Sequence, residues 1–338
     1  VTAPAPWRQA WRRLRAGSGS GQIIVALVLL AVAVWPPRVQ LQRPVFNWQV
    51  SFDITQSMNV EDVELNQVAV SRLTLARAAM REALAALPCG SKVGWSIFTD
   101  YRSLVILEPV EVCGHYEELL ASLERIDARM RWANASNVSK GVTWAVRGAR
   151  SIGPGTSFVF ISDGQESPPL RVNETPPMTD IKPGDVQGWL IGVGGDVPAP
   201  IPKTGSNGQS AGYWRADEVV QGASSGGARN HEHLSELRQD HLRALAELVG
   251  VNYRRLITPD ALKEALLDRR YAQYQPADAD LRWIPALLAL ALLALALLVW
   301  RFAPDVRPLR WWRLRRMGRG AAQARPPHLS SSASGASA

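Results

Sequence analysis

The sequence predicts an α/β protein: a doubly wound, mostly parallel sheet with one antiparallel edge hairpin, flanked by two transmembrane helices. Three observations predict it. Short apolar runs that end in polar or glycine turns alternate with amphipathic stretches, the pattern of parallel strands joined by helices. One pair of runs closes around a tight polar turn, "TDYRS", and reads as a hairpin. Two long uncharged runs bracket the whole.

The brackets come first. Ala16 to Trp35 is twenty residues without a charge, and Trp283 to Trp300 is eighteen more. At about 1.5 Å per helical residue they reach about 30 and 27 Å, which matches a hydrocarbon core of roughly 30 Å. Arg8, Arg12, Arg13 and Arg15 precede the first run, and seven arginines from Arg301 to Arg319 follow the second. The positive-inside rule then puts both ends in the cytoplasm and the middle on the far side of the inner membrane, in the periplasm. The expected organisation is a basic tail (1–15), a span (16–36), an extracytoplasmic domain (37–281), a second span (282–301) and a basic, then disordered tail (302–338). Ala31-Val32-Ala33 also resembles a cleavage signal, so a removed signal peptide is the other reading of the first run.

Charge follows the same division. The net charge is +8, but 13 of the 38 basic residues and only Asp305 among the 30 acids lie outside 37–281. The central region holds 25 basic against 29 acidic residues. Its slight acidity argues against a nucleic-acid face.

Within that region Asn47–Thr55 is the first strand and Ser71–Leu87 a helix stopped by Pro88. "KVGWSIF" and "SLVILEPVEV" form the hairpin. Cys89 and Cys113 lie at equal distance from its turn, so a disulfide between them is geometrically reasonable in an oxidising compartment; two unpaired core cysteines are the alternative. His115–Arg125 and Ser139–Arg150 read as helices, "TSFVFISDG" and "QGWLIGVGG" as buried strands, and 195–232 as a long surface loop without period. A helix over "HLSELRQDHLRALAELVG", a last strand "NYRRLIT" and a helix opening at Pro259 complete the domain.

Sheets of this kind bind ligands at the carboxyl ends of their strands, where the strand order reverses. Three separated pieces converge there: Asp53-x-Thr55-x-Ser57 after the first strand, Ser136 just before a helix, and Asp163 in "FVFISDGQE". Oxygen ligands without Cys or His favour a hard cation, Mg2+ first, with Ca2+ or Mn2+ as alternatives. Two acids and three hydroxyls leave such an ion under-neutralised, ready to attract a carboxylate from outside. Asp62 reads as a surface acid, with a supporting role at the site as the alternative. Trp132 is either a rim anchor for a partner or a packed core residue. Catalysis finds little support: His231, His233 and His241 lack a metalloprotease spacing, and no phosphate loop occurs.

These motifs resemble the metal-ion-dependent adhesion site (MIDAS) of von Willebrand factor A domains, D-x-S-x-S followed by a Thr and an Asp on later loops. Thr55 stands for the first Ser and Ser136 for the Thr, both keeping the hydroxyl. The span, "SMNVED", "SRLTLAR", "IGVGGDVPAPIP" and the second span resemble membrane-anchored Bat-type A-domain proteins of bacteria. "LPCGSKVG", "PVEVC" and "EHLSELRQDHLRALA" are similar to the MxaL family of the methanol-oxidation gene cluster. The resemblance implies a non-enzymatic factor that matures a periplasmic methanol dehydrogenase, including its calcium insertion. The implied partners are an acidic residue of that client and other A-domain proteins of the cluster. The alternative it allows is a membrane scaffold partnered with a MoxR-type AAA+ system.

Overall fold

The computed structural model describes residues 19–35, 39–170, 180–205, 208–221, 231–279 and 281–301. Two compact units emerge: Leu41–Ala277, and a second formed by the two ends of the chain. The first contains a six-stranded sheet, order β13-β8-β7-β2-β5-β6. Its strands are β2 (Asn47–Asp53), β5 (Lys92–Thr99), β6 (Arg102–Glu111), β7 (Ser157–Ser162), β8 (Gly188–Gly192) and β13 (Asn252–Arg255). All pair in parallel except β6, which lies antiparallel to β5 at one edge. Outside this sheet a ladder joins β1 (Val39–Val45) to β14 (Gln273–Ala279), and β3 (Val63–Leu65) turns onto β4 (Val68–Val70).

Apolar alternation on β2 explains the layers. Trp48, Val50 and Phe52 share one core with α2 (Arg72–Ala86), α3 (Tyr116–Glu124) and α6 (Pro259–Leu266). Phe158, Phe160 and Phe98 share the other with α4 (Val138–Ile152) and α5 (Gln239–Val249). Three of the helices, α2, α5 and α6, carry the expected punctuation. Ser71 Oγ accepts from Thr74 N at the start of α2, Gly250 ends α5 with a left-handed φ of 76°, and Pro259 opens α6.

The chain passes from β2 to β5 on one side, and returns after β6 to pair β7 against the other edge of β2. The order therefore reverses between β2 and β7, and the crevice at their carboxyl ends is the topological switch point. Asp53 ends β2, and Asp163 directly follows β7.

Several boundaries move. The first strand ends at Asp53, short of the expected Thr55, which already belongs to the turn leading into Gln56–Asn59. The supposed loop 195–232 contains real pairing among its described residues. Within it β10 (Pro202–Thr204) pairs with β11 (Ser210–Tyr213), and β9 (Ala199–Pro200) pairs with β12 (Leu234–Ser235), just beyond its end. Pieces of two to four residues interrupted by Pro and Gly have no detectable period.

Cys89 and Cys113 are bonded, with Cα atoms 5.2 Å apart, and tie the two open ends of the β5–β6 hairpin. Closing a separation of 24 residues stabilises by about 3 kcal/mol through the unfolded chain. Cys89→Ser/Cys113→Ser is expected to lose about that much in urea titration, and reductant is expected to reproduce the loss in the parent chain.

In the other unit α1 (Gly19–Val34) packs beside α7 (Trp283–Arg301), with Ala26 and Ala289 fully covered. Among the described residues no helix is long and apolar enough to cross a membrane. α1 has 16 residues, about 24 Å, and the side chains of α7 are described only through residue 298. The expected tails 1–15 and 302–338 lie outside the described residues.

Candidate metal centre

The hydroxyls and acids predicted from the sequence meet at the switch point. Asp53 is fully buried. Its Oδ1 accepts from Thr55 N at 2.9 Å and Thr55 Oγ1 at 2.6 Å, and its Oδ2 accepts from Ser162 Oγ at 2.7 Å. Thr55 Oγ1 lies 3.2 Å from Ser57 Oγ. Extended backbone at Thr55, then the 3-10 turn Gln56–Asn59, carries the chain away and brings the two hydroxyls to the same side. Ser162, the last residue of β7, was missed in the sequence. Strand alternation was the available signal, since a serine at the tip of an apolar strand points across to its neighbour.

Ser136 lies in the loop before α4. Its N–H donates to Ser167 O at 2.7 Å, Ser167 N donates back to its carbonyl at 2.6 Å, and Asn137 N donates to Asp100 O at 2.5 Å. The loop is thus pinned on both sides. The cap of α4 is Asn137, whose Oδ1 accepts from Lys140 N at 3.0 Å. Ser136 Oγ is left buried with no hydrogen-bond partner among the described residues. With Thr55 and Ser57 this residue lines a cleft of about 260 Å3.

Asp163 is also fully buried and already well bonded. Oδ1 accepts from Gln165 N at 3.0 Å; Oδ2 accepts from Arg72 Nη1 at 2.6 Å and Ser235 Oγ at 3.1 Å. Arg72 has no exposed surface. It turns its other edge to Asp62, Nε to Oδ1 at 2.9 Å and Nη2 to Oδ2 at 2.5 Å, and Asp62 Oδ2 also accepts from Gly195 N at 2.8 Å. Asp62 is therefore no free surface acid. It clamps a buried guanidinium onto the site, the supporting role that the sequence offered as the alternative; the partner, Arg72, was hidden because it opens an ordinary amphipathic helix. Burial works against the Arg72 charge. The bonds and charges of Asp62 and Asp163 outweigh it and lift the guanidinium above its ordinary range.

Burial and, next, the charge of Asp163 push the Asp53 carboxyl up to about 7, against hydrogen bonds from Thr55 and Ser162 that pull it down. The folded chain therefore binds this proton more tightly than the unfolded chain. The stability that this contributes is complete below pH 4 and is lost as pH rises towards 7. A cation would reverse the balance by favouring the ionised acid.

The donor set fits a hard cation. An unpartnered buried hydroxyl costs about 1–3 kcal/mol, and an ion beside Ser136 would use its lone pair. Asp53, Thr55, Ser57 and Ser136 would hold the ion, with Asp163 acting through water because Arg72 already engages it.

Other residues have different roles. Glu166 accepts from Val138 N, Ser139 N and Ser139 Oγ at 2.7–3.0 Å, capping α4 beside Ser136, and His241 Nε2 sits 3.0 Å from it. The ring centroids of His231 and His233 are 6.3 Å apart. Among the described residues, these histidines join no cluster of atoms close enough to hold a metal. Trp132 stands 45% exposed, outside the lining of the cleft.

Neither a protein-family model nor a curated protein matches the chain. Solved structures do. An aerotolerance-related membrane protein from Bacteroides fragilis is 20% identical with a TM-score of 0.47, over 65% of this chain and 96% of that one. The conserved hypothetical protein BatB from Bacteroides thetaiotaomicron is 20% identical with a TM-score of 0.48, over 67% and 98%. A von Willebrand factor type A protein from Catenulispora acidiphila is 12% identical with a TM-score of 0.38, over 72% and 42%.

Proposed function

We propose that this chain is a membrane-anchored, periplasmic, non-enzymatic module that docks protein clients through a divalent cation, Mg2+ first. The observation that carries the reading is the buried, unpartnered Ser136 Oγ, which shares a cleft with Ser57 and with Thr55, the residue bonded to the Asp53 carboxylate. The bound ion supplies an open coordination position for a client carboxylate. Asp53 is the one anionic group among the direct ligands; Arg72, shared between Asp163 and Asp62, offsets only one of those two charges. With a single carboxylate bound directly, a dication stays open to a client Asp or Glu at its free position. Ser162 and Thr55 hold the Asp53 carboxylate in one orientation, so the ligand arrangement exists before the ion arrives.

Anchoring rests on the apolar runs at 16–36 and 282–301, and the periplasmic orientation on the arginines outside them. The narrower reading, maturation of a methanol dehydrogenase and its calcium insertion, rests on the sequence resemblance to the MxaL family. The test is a crosslinked capture from native membranes, comparing the parent chain with Asp53→Ala, each with and without EDTA. Capture of one periplasmic protein by the parent chain, lost with the substitution and with chelator, is the expected result. The client's identity decides the dehydrogenase question.

A second reading is a scaffold, partnered with a MoxR-type AAA+ system, that makes no use of a metal. One observation favours it: Arg72 already supplies a cation to Asp163. Identical capture in all four samples would establish it.

Cation binding should depend on pH. Binding needs Asp53 ionised, so apparent affinity is expected to fall about tenfold per unit below pH 7. Above pH 8 it should be flat. Calorimetry in two buffers of different ionisation enthalpy reads the released proton directly.

A further inference from the structure

The cleft has a second wall. Gln56, between the two hydroxyl ligands Thr55 and Ser57, ties three segments together. Its Oε1 accepts from Trp214 Nε1 at 2.7 Å and Thr204 N at 3.2 Å, and its Nε2 donates to Asn134 Oδ1 at 2.8 Å, two residues before Ser136. Arg131 adds a tie, Nη2 to Thr204 O at 3.0 Å. Lys203 sits 4.6 Å from the Trp214 ring centroid and pairs with Glu218 at 2.7 Å. Trp214 is therefore held in place.

That wall is apolar where it borders the cleft. Ile201, Trp214 and Val220 line it, and Val220 is 68% exposed. Its two acids differ. Lys203 neutralises Glu218, whereas Glu232 has no ion-pair partner among the described residues. At about 260 Å3 the cleft falls below the roughly 300–1,000 Å3 of pockets that engulf a small-molecule ligand. It suits neighbouring side chains of one extended segment.

We infer that the cleft is a composite subsite for a protein segment in which the cation-directed Asp or Glu stands next to a large apolar residue, and not next to a second acid. The inference rests on the cation-docking reading and adds the class of client sequence. The carboxylate goes to the cation side, among Thr55, Ser57 and Ser136. The apolar neighbour packs on Trp214, Ile201 and Val220. Glu232 repels a second carboxylate. Trp214 and Val220 set specificity; Gln56 is a positioning residue that holds the wall at a constant distance from the cation ligands.

The test uses the full chain in detergent with saturating Mg2+ and three blocked hexapeptides: Gly-Gly-Asp-Leu-Gly-Gly, and the same peptide with Leu replaced by Gly or by Asp. Binding is read by calorimetry, and cation loading is read separately for every variant by Mn2+ resonance. The expected result is about tenfold tighter binding of the Leu peptide than of the Gly peptide, with the Asp-Asp peptide weakest. Trp214→Ala and Val220→Ser are each expected to bring the Leu-to-Gly ratio to within about twofold of one. Val220→Ser, at an exposed position, decides the matter if Trp214→Ala disturbs folding. Loaded protein that binds the three peptides alike, or binds none of them, overturns the inference and leaves the cation site standing. Protein that takes up no Mn2+ overturns the docking reading and this inference with it.

Discussion

Asp53→Asn is expected to abolish cation binding while leaving the cation-free chain at least as stable as the parent. Asn keeps the oxygen that accepts from Thr55 N and removes the charge that burial and Asp163 disfavour. Raising a carboxyl from 3.8 to about 7 corresponds to roughly 4 kcal/mol of destabilisation once the group ionises. At pH 8 part of this should return, giving about 1–2 kcal/mol of added stability after the altered bond to Ser162 is discounted. Cation affinity should fall by at least about 100-fold, since even partners that only orient a ligand are worth 10–100-fold. Thermal unfolding with and without 5 mM Mg2+, to take about that concentration as saturating, reads both effects. A parent chain whose midpoint does not move with Mg2+ or Mn2+ would count against the site. Stability given up for a charged cluster is the usual mark of a binding function.

Arg72→Met has the opposite signature. The guanidinium lies between Asp62 and Asp163 with no exposed surface and also donates to Ser235 O at 3.1 Å. Removing one partner of a buried ion network leaves the other charges uncompensated, and destabilises by about 3–5 kcal/mol. For a domain of this size that is a fall of roughly 10 °C in melting temperature. Adding Asp62→Asn should restore part of the loss, because the two residues act as one unit. Urea titration of the single and double variants gives the coupling. Additive losses would show that Asp62 does not act through Arg72. The same substitution separates the two functional readings, since a scaffold that needs only the fold loses stability alone, whereas a cation-docking site also loses the charge balance around Asp163.

Much of the fold was legible because it repeats along the chain. The apolar runs of β2, β7 and β8 and the helical spacing of 71–87 each stand out in isolation, and the hairpin around Asp100 was marked by its polar turn and flanking cysteines. The turn between β3 and β4 was missed, although Asn66 and Gln67, with φ of 52° and 67°, lie between two alternating triplets. Asn is at home in that conformation and signals such a turn. The β9–β12 segments were missed for a different reason: they are held by Gln56 and Arg131, residues far away in sequence, which bond Thr204 and Trp214.

The candidate site divides in the same manner. Asp53, Thr55, Ser57, Ser136 and Asp163 were named from the sequence alone, because strand ends at a switch point are predictable and the residue types there are chemically unusual, and a supporting role for Asp62 stood as the alternative to a surface one. Ser162, Arg72 and Gln56 were not named, since each is an ordinary residue of its own strand, helix or turn. By itself, then, the sequence determined an α/β sheet between two apolar segments, with hydroxyls and carboxylates at the strand tips and two cysteines matched across a hairpin. Only the tertiary structure decided that Asp163 is already held by a buried arginine, that Ser136 keeps its hydroxyl unspent, and that an apolar wall closes on the cleft. Periodicity and turn chemistry are local and can be read along the chain, whereas ion pairing and burial depend on distances between segments that the fold alone brings together.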